Sequence, residues 1–143
     1  DLMVKIALNK LVDKLSQDDI KKLIEANNAD NENVFHMMAK HNKDDQSVNS
    51  LITFFDNGLE RKEIQKMLRA RGNFSGLPLH YAVKFNSSIV LNIFVANYKE
   101  YFESAEILEF LNIEEGESNK NILELATERS EKEFYEIIQN LLN

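Results

Sequence analysis

The 143-residue sequence has no cysteine and no tryptophan, and it holds one proline and four glycines. Without cysteine there is neither a disulfide framework nor a thiolate zinc site. So little proline and glycine leaves too few turn signals for a many-stranded β protein, which needs one every ~8 to 12 residues. No run approaches the ~18 apolar residues of a transmembrane helix, so no membrane insertion is expected. The N-terminus lacks the basic-then-apolar layout of a signal peptide. The remaining composition is ordinary, at 43% hydrophobic, 29% charged and a mean hydropathy of −0.39. Length and composition together predict a soluble, mostly helical domain in a reducing, cytoplasmic setting.

The formal charge of −7 is unevenly spread. Residues 1–99 hold 12 acidic and 14 basic side chains, whereas residues 100–143 hold 12 acidic and 3 basic ones, a net of −9. An acidic third of this size would repel a phosphate backbone, and no basic stripe elsewhere offsets it, so nucleic acid is not an expected partner. Thirteen Lys against four Arg, with 17 Asn and 12 Ile, fit an AT-rich source.

Sliding the sequence against itself reveals a period of 44 residues. Ile20, Ile64 and Leu108 match, as do Leu23, Met67 and Leu111. Asn28, Gly72 and Gly116 follow, three residues that tolerate positive φ just beyond an apolar run. Then come Asn33, Leu77 and Asn121, next Phe35, Leu79 and Leu123, next His36, His80 and Glu124, and finally Asn42, Asn86 and Ser130. The register slips by two or three residues after Asn42, where the first copy has a longer linker over Lys43–Ser47. The implied units are 1–32 (partial), 33–76, 77–120 and 121–143 (partial). An array that starts and stops mid-unit reads either as capped or, the preferred expectation, as cut from a longer solenoid.

Each unit reads as three helices. A short first helix is predicted over Val34–His41, Pro78–Phe85 and Ile122–Arg129. Pro78 suits the first helical position, and Asn33 and Asn121 suit the N-cap. Asn42, Asn86 and Ser130 are placed as left-handed C-caps. An apolar second helix carries Val48, Leu51, Ile52 and Phe55 in one copy. The next copy carries Val90, Ile93, Phe94 and, as a polar last member, Asn97, and the last carries Phe134, Ile137, Ile138, Leu141 and Leu142. A charged third helix is predicted near 60–70 and 104–112, with an earlier copy near 17–26 that Ser16 and Asp19 would box. One more second-type helix is predicted from Leu2 to Leu15. Asp44 and Asp45 read as favourable N-terminal charge.

The segment Gly76-Leu77-Pro78-Leu79-His80-Tyr81-Ala82-Val83 resembles the T-P-L-H-x-A signature of ankyrin repeats, with Leu77 in place of Thr. Asn33-Val34-Phe35-His36-Met37-Met38-Ala39 is a degenerate copy, and Asn121-Ile122-Leu123-Glu124-Leu125-Ala126 has Glu124 in place of His. The unit of 44 residues exceeds the family's ~33 by the extra charged helix. Enlarged units of this kind resemble those of divergent ankyrin arrays, including arrays from intracellular bacteria. The resemblance implies an all-α, ankyrin-repeat-like helical solenoid with an extra helix per repeat and short finger loops. A three-helix armadillo-like array of the same period is the alternative fold.

What the resemblance implies for function is a non-enzymatic protein–protein interaction module that holds a protein partner on finger loops and first helices. It would be a monomer and part of a larger, effector-like protein, cytoplasmic or, for a bacterial effector, in the host cell after secretion. In the family His36 and His80 would bond locally to backbone. The sequence has no H-E-x-x-H, G-x-S-x-G or phosphate-cradling loop, and no cofactor or metal is expected. By register the fingers offer Asp30 and Glu32 in the first copy, Asn73 and Phe74 in the second, and Lys120 in the third. The ends of the first helices offer Lys40 with His41, Lys84 with Phe85, and Arg129. Phe74 is either an interface anchor or folded back on the extra helix, and Phe85 is either a contact or a core residue. A second functional reading is a regulatory or structural segment that packs on a catalytic domain outside this chain.

Overall fold

The computed structural model describes Asn27 and residues 29–142. The predicted helices at Leu2–Leu15 and 17–26, the Ser16–Asp19 box and the matches at Ile20, Leu23 and Asn28 lie outside the described residues. Within them the chain is all-α with no strand. Three helices, α1 (Val34–His41), α2 (Asp45–Gly58) and α3 (Arg61–Arg69), lead to a 3-10 turn at Asn73–Ser75. Three more follow in the same short-long-short order: α4 (Pro78–Phe85), α5 (Ser88–Tyr101) and α6 (Ser104–Asn112). The last are α7 (Ile122–Glu128), α8 (Lys132–Gln139) and a 3-10 turn at Asn140–Leu142. First helices therefore start 44 residues apart, at Val34, Pro78 and Ile122.

Local chemistry explains those starts. The Asn33 side-chain oxygen accepts from Phe35 N at 2.9 Å and His36 N at 3.2 Å. Asn121 and Glu124 satisfy each other's backbone N–H, at 3.1 and 2.9 Å, as a capping box. Leu77 has no side-chain oxygen, and Pro78 at the first helical position removes one donor that would otherwise need a partner.

Helix α1 packs on α4 and α4 on α7, while α2 packs on α5 and α5 on α8, giving two rows. Helix α3 packs against α4 and α5, and α6 against α5 and α7. One continuous core runs between them, with Phe35, Phe55, Leu68, Leu79, Phe94, Tyr98 and Phe134 fully buried. Each such side chain contributes about 1.5–3 kcal/mol on burial. The Tyr98 hydroxyl keeps its hydrogen bond inside this core by donating to Leu68 O at 2.7 Å.

Three expectations are corrected. No glycine has positive φ; the left-handed residues are Asn31, Phe74, Ser75 and Asn119. Asn31, Ser75 and Asn119 lie 44 apart, three positions beyond Asn28, Gly72 and Gly116. Gly72 answers a different need, since a Cβ there would sit 2.8 Å from the Tyr81 hydroxyl and 3.1 Å from the His36 ring.

Nor are Asn42 and Asn86 left-handed caps: their φ values are −92° and −114°. Asn86 instead crosses to the neighbouring first helix, its Nδ2 donating to Ala39 O at 2.8 Å and Asn42 O at 3.0 Å. Arg129 does the same one helix on, donating to Val83 O at 2.9 Å and Lys84 O at 3.1 Å. The orphan carbonyls at each helix end are thus closed by the adjacent helix row rather than by a reversal of the chain. Finally, Asp45, Gln46 and Ser47 form the first turn of α2, so the linker after α1 is shorter than predicted.

Candidate functional site

His36 and His80 each occupy the third position of a first helix. Asn33 N donates to His36 Nδ1 at 3.1 Å, and Leu77 N donates to His80 Nδ1 at 3.0 Å. Each Nε2 then meets the carbonyl of a loop that follows the unit's third helix, Gly76 O at 3.0 Å for His36 and Ile113 O at 2.9 Å for His80. Both rings are fully buried. Burial lowers the pKa of both, bringing His80 to about 4. The two imidazoles are neutral links from helix start to loop, with no nitrogen left for substrate.

The loops beside them are tight turns. Gly72 N donates to Gly76 O at 2.8 Å around the second turn, and Glu115 N to Lys120 O at 3.0 Å around the third, where an isolated antiparallel bridge forms. The Phe74 carbonyl accepts from Gly116 N, so consecutive fingers are hydrogen-bonded to each other. That contact explains the glycine: a Cβ at Gly116 would lie 3.1 Å from Phe74 O.

Six of the ten sequence-nominated residues meet around a small concavity of about 60 Å³ between fingers and first helices: Glu32, Lys40, Asn73, Phe74, Lys84 and Phe85. Phe74 is 52% exposed and Phe85 40%, so neither is folded into the core. The Lys40 and Lys84 ammonium groups stand 5.6 and 5.4 Å from the Phe85 ring centre, and the Tyr81 ring meets its edge at 5.9 Å. Lys84 also lies 3.3 Å from Glu115 and 3.1 Å from Glu117. Burial opposes charge on Glu115, yet donation from Ser118 and Lys84 holds its carboxyl below the usual range.

The other nominated residues sit apart from this concavity. Glu32, expected on an exposed finger, is 3% exposed. Its carboxylate faces the buried Tyr81 phenol, whose pKa is raised first by burial and then by that carboxylate. A short finger pressed against α4 leaves the side chain no route to solvent. Asp30 and His41 are exposed. Lys120 is half-buried and pairs with Glu128. Arg129 is occupied by the carbonyls of α4 and by the Phe134 ring, 4.1 Å from its guanidinium carbon.

A second concavity, which sequence reasoning did not nominate, lies on the other helix row between α2 and α5, with a volume of about 460 Å³. Comparison of the chain with models of protein families, with curated proteins and with solved structures finds no match.

Proposed function

We propose that the chain is a non-enzymatic protein-binding module, an ankyrin-repeat-like stack of 44-residue units that grips a protein partner between finger loops and first helices. The observation that carries the reading is the pair of exposed rings, Phe74 on a finger and Phe85 at the end of a first helix, flanking one concavity. Phe74 holds a left-handed backbone, φ 56° and ψ 26°, which costs a non-glycine residue about 1 kcal/mol. A bulky aromatic kept in such a conformation and half in water is what an interface anchor rimmed by charge looks like. The recurrence of helices at 44 residues and the matching backbone bonds of His36 and His80 support the ankyrin-like assignment.

The test is the paired variant Phe74→Ala with Phe85→Ala. Its helical circular dichroism should equal that of the parent, because both rings lie outside the core. Capture of a partner from cell lysate, identified by mass spectrometry, should fall by about tenfold or more, as for loss of anchors worth ~2 kcal/mol. A captured protein retained at parental strength would remove this face from the site.

A further inference from the structure

The concavity between α2 and α5 lies on the helix row away from the fingers, and its lining is unusual for a helix seam. Two carboxylates, Asp56 and Glu100, stand toward one end. They occupy equivalent places in successive helices, 44 residues apart. Neither forms a salt bridge among the described residues. Partial burial raises the Asp56 carboxyl above its ordinary pKa against the pull of the Tyr101 hydroxyl, and the Glu100 charge adds to the rise. The nearby Arg61 is directed elsewhere, donating to the Glu100 backbone carbonyl at 2.7 Å and lying over the Tyr101 ring.

The independent observation is Asn97. It stands at the position where the apolar stripe turns polar, lines this same cavity, and is 6% exposed. Its side-chain oxygen is buried with no hydrogen-bond partner among the described residues. A buried acceptor left unmade is costly, and such an atom at a cavity wall points to a donor that arrives from outside the chain. Asn49 and Asn92 add two more amides, while Ile52 and Ile93 supply an apolar floor.

Carboxylates, amide oxygens and an apolar floor together select a ligand with N–H donors, positive charge and methylene groups. We propose that this cavity binds a primary ammonium carried on an aliphatic chain, either a free linear polyamine or the side chain of a lysine. The ammonium sits between Asp56 and Glu100, its three donors shared among acceptors. The methylenes lie over Ile52 and Ile93, and a second donor reaches Asn97. This site is separate from the finger face and stands whether or not that face binds protein.

The experiment is an NMR titration of the full chain with spermidine, 1,5-diaminopentane and Nα-acetyl-lysine amide, with magnesium chloride and maltose as controls. Saturable shifts of the Asn49, Asn92 and Asn97 side-chain amides are expected with the free amines or with the lysine derivative, and the tighter arm identifies the source. The double variant Asp56→Asn, Glu100→Gln should weaken binding by at least about tenfold, whereas Glu109→Gln with Glu114→Gln should leave it within about twofold. Asn97→Leu should lose binding while keeping the helical signal. Absence of saturable shifts with every amine overturns the proposal. So does equal binding of magnesium or maltose, because diffuse attraction to an acidic chain or neutral hydrogen bonding would then suffice. Unchanged affinity in the double variant overturns it as well, even should Asn97→Leu fail to fold.

Discussion

At the scale of a residue, His80 shows how a buried polar group turns into a pH response. Its ring must be neutral, because Nδ1 accepts from Leu77 N and an imidazolium has no acceptor. Burial lowers its folded pKa from 6.5 to about 4. Between those values the unfolded chain binds more protons than the folded one, so stability rises with pH. The contribution is complete above the unfolded value and is lost as pH falls toward the folded one. From His80 alone, urea denaturation should show a loss of about 2 kcal/mol between about pH 7.5 and about pH 5. His36, shifted the same way, adds to it. His80→Gln should lower stability at neutral pH and flatten this dependence. Carboxylates held low, such as Glu106 and Glu115, act only at more acid pH. A parent chain equally stable at both pH values would mean that the imidazoles are charged or exposed. These two histidines were legible in the sequence because their bond to the helix start spans three residues. The burial of Glu32 was not, since it depends on Tyr81, almost fifty residues away.

At the scale of an element, the instructive feature is how each first helix ends. Its start is written locally, in Asn33, Pro78 and Asn121, and the predicted starts coincide with those observed. Its end is closed by a side chain from the next first helix, which no local pattern reveals. Asn86 is a residue type that serves either as a left-handed cap or as an amide donor, and only the packing of α4 on α1 decides between them. The two roles predict different substitution outcomes. Asn86→Ala should cost about 1–3 kcal/mol, because it leaves the α1 carbonyls short of a donor in a buried place. Asn86→Gly should be no better, since φ at this position is −114° and needs no glycine. Thermal or urea denaturation of the pair checks this, and recovery of stability in the glycine variant would restore the cap reading. The same dependence on distant partners hid the α2–α5 cavity: Asn97 was visible as a polar break in a stripe, but its neighbours Asn49 and Asp56 come from another helix.

At the scale of the whole molecule, packing and charge fall unevenly along the chain. Helices α4 and α5 are covered on both sides, by α1 and α2 on one and by α7 and α8 on the other. Among the described residues α7 and α8 have a neighbouring row on one side, and the apolar side chains Leu108, Tyr135 and Leu142 in this region are 51%, 43% and 47% exposed. The acidic excess of residues 100–143 lies in the same place, where like charges oppose compaction. In a chain whose helices contact mainly their neighbours, local opening follows such differences in burial rather than one global value. Amide hydrogen exchange should therefore be slowest in the middle of α4 and α5, around Ala82, Val83 and Phe94, and fastest among the helices in α8. Sodium chloride at about 0.1 M shortens the range of charge repulsion to about 10 Å. It should slow exchange in α7 and α8 by about fivefold, equivalent to about 1 kcal/mol, and change α4 far less. Uniform protection across all eight helices would show instead that the continuous core opens as one unit. Faster exchange of α8 in salt would show that its carboxylates contribute net attraction, through pairs such as Ser88 with Glu133, rather than repulsion.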